Sequence, residues 1–83
     1  MGFKYRITVL EELARHGVIP IDETPPGMVH QFVNDLYVLE IRMLKKQLLA
    51  GKIPKDQYAK HVENLRNRYP ILSLPIWFWT EPD

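Results

Sequence analysis

Apolar residues recur at helical spacing in three stretches of this chain, and the pattern predicts an all-α protein. The first stretch follows Thr8-x-x-Glu11, a pattern typical of a capping box at a helix start. Gly17 and Gly51 favour left-handed stops after the first and second stretches, and Pro70 ends the third. The predicted helices cover about residues 9–16, 25–50 and 54–69.

The middle helix is the longest, and its apolar face is too broad for one neighbouring helix to cover. At 1.5 Å per residue it would extend roughly 39 Å. A helical wheel places most of its apolar side chains on one wide face: Val29, Phe32, Val33, Leu36, Tyr37, Leu39, Met43 and Leu44. We therefore expect two neighbours for this helix, or one neighbour and another subunit.

A tight turn over residues 51–54 predicts that the second and third helices form an antiparallel hairpin. The segment from Ile41 to Leu65 contains regularly placed leucines, a Gly-x-Ile turn and the aromatic residue Tyr58 shortly after it. In these features it resembles the short C-terminal hairpin domains called SHOCT, although Pro54 stands where those domains usually have threonine. The resemblance is confined to this segment and implies a role in interactions.

The C-terminal tail, residues 69–83, begins with an uncharged stretch rich in aromatic residues. Its uncharged run from Tyr69 to Trp79 contains Pro70 and Pro75, which exclude a regular helix and predict an extended strap. Aromatic residues are preferred interface anchors, and either a partner or the protein's own helices must cover them. The candidate partner-binding or internal plug residues are Leu74, Ile76, Trp77, Phe78 and Trp79.

Glu40 interrupts the apolar face of the middle helix. A buried carboxylate is costly unless it is paired or protonated. The hairpin places the C-terminal arginines of the third helix within reach, so we predict a buried polar pair of Glu40 and Arg68 that fixes the register. Two alternatives stay open, namely that Glu40 extends into solvent or that it serves a ligand or metal.

Charge is unevenly distributed, although the formal net charge is only +1. Residues 1–40 have a net charge of −3 and residues 41–68 have a net charge of +6. Such asymmetry indicates either a surface for nucleic acid or a solvated helical face, and no helix-turn-helix pattern accompanies it. The possible nucleic-acid contacts within hairpin 42–60 are Arg42, Lys45, Lys46, Lys52, Lys55 and Lys60.

Composition predicts one soluble helical domain over residues 1–83, with no cofactor. The chain has no cysteine, which excludes disulfides and thiolate metal sites, and its three histidines lack metal-ligand spacing. It also lacks a nucleophile elbow and a phosphate-binding glycine loop, so we expect no enzyme activity. Without a signal peptide pattern, the expected location is the cytoplasm.

These features together predict a small non-catalytic interaction or accessory module. Its expected partner is a second copy of itself or another protein, held by the apolar middle helix and the aromatic tail. One alternative is nucleic-acid binding through the basic hairpin. A second alternative is peripheral membrane association through the Trp-rich tail, which Glu81 and Asp83 would oppose on anionic lipid.

Overall fold

The computed structural model describes residues 2–82, and Met1 and Asp83 lie outside the described residues. The predicted all-α fold with a long central helix is confirmed. The strap, described as far as Pro82, contains two short 3₁₀ turns, Pro70–Ser73 and Ile76–Phe78. The helices are α1 (Ile7–Arg15), α2 (Pro26–Leu49) and α3 (Lys55–Asn67).

Helix α1 begins two residues before its predicted start because the strap holds the backbone in front of it. Tyr5 forms an antiparallel bridge with Thr80, and the Arg6 N–H donates to the Trp79 carbonyl over 3.0 Å. Arg6 is therefore extended and becomes the N-cap residue. Thr8 lies inside the helix, and the predicted capping box does not form because no side chain caps this end.

The first two helices end as their glycines predict. Gly17 and Gly51 adopt φ angles of 74° and 75°, which favour glycine. After α1, the Gly17 N–H donates to Ala14 and the Val18 N–H donates to Leu13, both over 3.0 Å. The same two-bond pattern follows α2, so each helix ends in a Schellman motif that satisfies its last carbonyls.

The antiparallel hairpin of α2 and α3 runs along most of an elongated molecule, whose principal dimensions are 51 × 17 × 16 Å. Its turn places Ile53 in a buried position between the two helices. Ile41, Leu44 and Leu48 are half-buried along the hairpin. The hairpin is therefore a long, thin arm with little interior of its own.

The main core lies at the opposite end, where the strap contacts both α1 and α2. Helix α1 packs against the first 3₁₀ turn, and both turns pack against α2. The buried apolar residues of this cluster come from the segment before α1, from every helix and from the strap: Tyr5, Val9, Leu13, Val29, Val33, Leu65, Tyr69, Ile71 and Trp79. The strap is therefore part of the core.

Candidate interaction surface

Trp79 is an internal plug. Its side chain is 0% exposed, and its ring lies 5.4 Å from the His30 ring on α2. The indole Nε1–H donates to the Leu74 carbonyl over 3.3 Å, so the polar edge of the ring is satisfied within the strap. Trp79 therefore joins the strap to α2, and Leu74 is half-buried against the same core.

The residues just before Trp79 divide between the core and the surface. The Arg6 Nε–H donates to the Phe78 carbonyl over 2.6 Å, and the guanidinium lies 4.6 Å from the Phe78 ring centre. Phe78 is therefore held against α1, where a cation–π contact supplements the hydrogen bond. In contrast, Trp77 is 77% exposed and Ile76 is also exposed. Trp79 is thus buried in the core, whereas Ile76 and Trp77 of the same tail lie at the surface.

Glu40 has a different partner from the one predicted. Its carboxylate accepts a hydrogen bond from the Tyr69 hydroxyl, whereas Arg68 is exposed. The ion pairs among residues 2–82 are Lys4–Glu81 and Arg15–Glu12, so Glu40 and Arg68 do not form one. The neighbouring residue takes the role because α3 ends before Tyr69, which turns its ring into the core.

The Tyr69 ring is held on two sides. His16 stacks on it with 4.1 Å between ring centres, and Tyr37 meets it edge-on at 5.2 Å. Burial, followed by the hydrogen bond to Glu40 and the negative charge of that carboxylate, raises the pKa of Tyr69 to about 12. This polar contact therefore joins the segment just after α3 to the middle of α2.

The six basic residues proposed as nucleic-acid contacts are all exposed. They lie along the second half of α2, in the turn and on α3, away from the main core. Within residues 2–82 they take part in no ion pair. The arm therefore presents positive charge to solvent at the end of the molecule remote from Trp79.

One side of α2 is both apolar and uncovered. Phe32, Leu39 and Met43 are 53, 54 and 54% exposed, and Leu36 between them is half-buried. These four residues follow a spacing of four, three and four, which is typical of a helix that packs along a partner helix. We name them the α2 seam.

The α2 seam is the part of the broad apolar face that the fold leaves largely uncovered, with Leu36 half-buried at its inner edge. Val29 and Val33, from the same predicted face, are buried in the main core. The width of the apolar face predicts that α2 needs a second neighbour. The division into covered and uncovered sides depends on where α1, α3 and the strap pack.

The seam is flanked by further exposed side chains of α2. Met28 and Leu49, near its two ends, are 64 and 76% exposed. Asp35 and Arg42, between them, are exposed and opposite in charge. Next to Met28 and Phe32, an apolar cleft of about 270 Å³ opens against the connector between α1 and α2.

Comparison with known proteins provides no relative on which to base a function. No family model, curated protein or solved structure matches the chain. Across residues 2–82, no helix is long and apolar enough to cross a membrane. The same residues contain no cluster of three or more potential side-chain metal ligands among His, Cys, Asp and Glu.

Proposed function

We propose that the protein is a small non-catalytic interaction module that associates with a second copy of itself through the α2 seam. The observation that supports this proposal is the half-exposed row of Phe32, Leu39 and Met43. Soluble monomers rarely expose large continuous apolar patches. Apolar residues at this spacing are typically buried where two helices pack along each other. Self-association thus supplies the second neighbour that the broad face of α2 requires.

The surroundings of the seam favour a protein surface as its partner. The seam itself consists of aromatic, aliphatic and thioether side chains, and charged side chains lie beside it. This is the usual arrangement of a protein interface, with an apolar centre and a polar rim. Phe32 and Met43 are suited to this role because aromatic rings provide large contact areas and methionine adapts to irregular surfaces. The seam also lies on a regular helix, so its geometry is fixed before binding.

The proposal is tested by measuring mass in solution. Sedimentation velocity of the wild type over a range of concentrations should show a dimer. Leu39→Glu should yield a monomer, because it places a charge at the centre of the seam. Asn34→Glu introduces the same charge at an exposed site on the other side of α2 and should remain dimeric. A wild type that stays monomeric at every concentration contradicts the proposal.

Nucleic-acid binding by the arm is a second candidate function. It is supported by the six exposed basic residues, which form no ion pair among the residues that the structure describes. Binding to a short duplex should weaken steeply as salt rises, because each phosphate contact releases counterions. Lys45→Glu combined with Lys52→Glu should abolish it, and Arg66→Glu, at an exposed residue in the last turn of α3, is the control. Absence of binding at low salt contradicts this candidate.

A further inference from the structure

We infer that the two copies pair through antiparallel α2 helices, related by a two-fold axis near the midpoint of the α2 seam. This inference rests on the proposed function, since it specifies how the self-association takes place. It follows from three properties of α2: the symmetry of the seam, the positions of its flanking residues, and the opposite charges of its two ends.

The spacing of the seam residues, which is four, three and four, is the same when read from either end of the helix. Phe32 and Met43 lie at equal distances from its midpoint, as do Leu36 and Leu39. In an antiparallel pair, Phe32 therefore packs against the partner's Met43, and Leu36 packs against the partner's Leu39. Each half-exposed side chain is then opposite an apolar one, which is the requirement of a two-fold interface.

The flanking residues follow this symmetry with an offset of one residue. Asp35 and Arg42 are equidistant from a point one residue beyond the seam midpoint, and so are Met28 and Leu49. The two-fold axis therefore brings Asp35 close to the partner's Arg42 and Met28 close to the partner's Leu49. Five exposed apolar residues of α2 obtain apolar neighbours by this one operation: Met28, Phe32, Leu39, Met43 and Leu49.

Electrostatics distinguishes the antiparallel pair from a parallel one. The connector before α2 carries the exposed acids Asp22 and Glu23, whereas the far end of the helix carries Lys45 and Lys46, and Lys52 follows in the turn. A parallel pair would place the two basic ends side by side. The antiparallel pair places each basic end near the partner's acidic connector, and this arrangement also favours encounter of the two copies.

The size of a stable interface explains why the contact must include the flanks. The four seam side chains bury less than the roughly 800 Å² per partner of a standard interface. Even a fully exposed aromatic side chain contributes only about 150–250 Å², and the seam side chains are about half-exposed or less. Contact along the whole of α2 adds Met28, Leu49 and the cleft beside Phe32. That cleft faces the partner's turn in the antiparallel arrangement, so its apolar lining is covered as well.

Chemical crosslinking tests the orientation directly, because the chain has no cysteine of its own. Met28→Cys and Leu49→Cys, both at exposed positions, are mixed and treated with a short bismaleimide. We expect the mixture to yield a crosslinked heterodimer and Met28→Cys alone to yield almost none, because its two thiols would lie roughly 30 Å apart along the helices. Asn34→Cys, on the other side of α2, is the control and should not crosslink.

Charge reversal tests the register independently. Asp35→Arg and Arg42→Asp, each alone, should weaken dimerisation about tenfold, since each places like charges across the interface. The double variant should recover most of the wild-type affinity because the two charges exchange places. Circular dichroism confirms that each variant is folded.

The outcomes separate the inference from the proposed function. A dimer that crosslinks efficiently through Met28→Cys alone is parallel, and it overturns the inference while leaving self-association intact. A dimer whose double charge variant is as weak as the single variants overturns the proposed register. A wild type that does not dimerise contradicts the proposed function and the inference together. In that case Leu39→Glu has the same mass in solution as the wild type.

Discussion

The two ends of this molecule are built differently. At the compact end, α1, the first half of α2, the end of α3 and the strap enclose a cluster of nine buried apolar residues. Along the arm, from residue 41 to residue 64, Ile53 is the one buried residue, and several apolar side chains remain half-buried or exposed. We therefore expect the compact end to supply most of the free energy of folding. In the arm, most of the surface of α2 is exposed to solvent.

This difference explains how so short a chain can present a long helix. A domain of this size has a free energy of unfolding of about 4–12 kcal/mol, so one well-packed cluster must provide most of it. Trp79 and Ile71 contribute to that cluster from the strap, although between residues 69 and 82 its regular structure is confined to two short 3₁₀ turns. With the core concentrated at one end, one side of α2 is free to carry the seam, and the second half of the helix carries Arg42, Lys45 and Lys46.

The largest effect expected is that of removing Trp79 from the compact end. Trp79→Ala should lower the free energy of unfolding by about 3–5 kcal/mol, because it empties the centre of the core and removes the hydrogen bond to Leu74. Urea denaturation followed by circular dichroism measures the loss.

Trp77→Ala is the matched control for Trp79→Ala. It deletes the same side chain two residues earlier, where the ring is exposed, and should change stability by less than about 0.5 kcal/mol. Equal losses for the two variants would contradict the assignment of Trp79 as the plug and Trp77 as a surface residue.

A smaller effect is expected at the arm. Ile53→Ala should cost about 2 kcal/mol, since it removes the one side chain that is buried in the turn of the hairpin. Hydrogen exchange should accelerate in the arm while amides in the compact end keep their protection, because the two regions share few buried contacts. Uniform acceleration throughout the chain would show that the ends unfold as one unit.

The helices could be predicted from the sequence, whereas the side of the strap that faces inward could not. Periodic apolar residues and two glycine stops define α1, α2 and α3 because those signals are local. Trp77 and Trp79 lie in and beside a 3₁₀ turn without periodicity, and the contacts of Arg6 with the strap decide which ring is buried. These contacts join residues at opposite ends of the chain.

The polar partner of Glu40 and the uncovered side of α2 could likewise not be predicted in full from local sequence patterns. Hairpin geometry brings the end of α3 close to Glu40, but the choice between neighbouring residues depends on how α3 terminates. Likewise, the breadth of the apolar face of α2 predicts a missing neighbour. The identity of the α2 seam follows only once α1, α3 and the strap have occupied the other side.

The contact of Arg6 with the strap should contribute less than either buried side chain. Arg6→Met retains much of the aliphatic stem and removes the hydrogen bond to Phe78 and the cation–π contact. We expect a loss of about 1–2 kcal/mol in thermal or urea denaturation. Arg15→Met, at an exposed arginine near the end of α1, is the control and should have little effect. A loss no greater than that of the control would show that the Arg6 side chain does not help to hold the strap.

The smallest effect is expected where the two regions meet, at the hydrogen bond of Tyr69 to Glu40. Tyr69→Phe keeps the ring between His16 and Tyr37 and removes only the hydroxyl, so it should cost about 1 kcal/mol near neutral pH. Glu40→Gln keeps a hydrogen-bond acceptor without the charge and should cost less. If Tyr69→Phe is as stable as the wild type, the hydroxyl is not a register contact.

The pH dependence of the stability difference between wild type and Tyr69→Phe distinguishes a hydroxyl contact from simple packing. Burial and the Glu40 carboxylate raise the pKa of Tyr69 from 10.0 to about 12, so folding favours the neutral hydroxyl. Its contribution is therefore complete below pH 10 and is lost as pH rises through about 12. Tyr5, whose pKa burial also raises, is present in both proteins and cancels in the comparison. The stability advantage of wild type over Tyr69→Phe should shrink across this range, whereas a constant advantage would indicate that packing alone separates them.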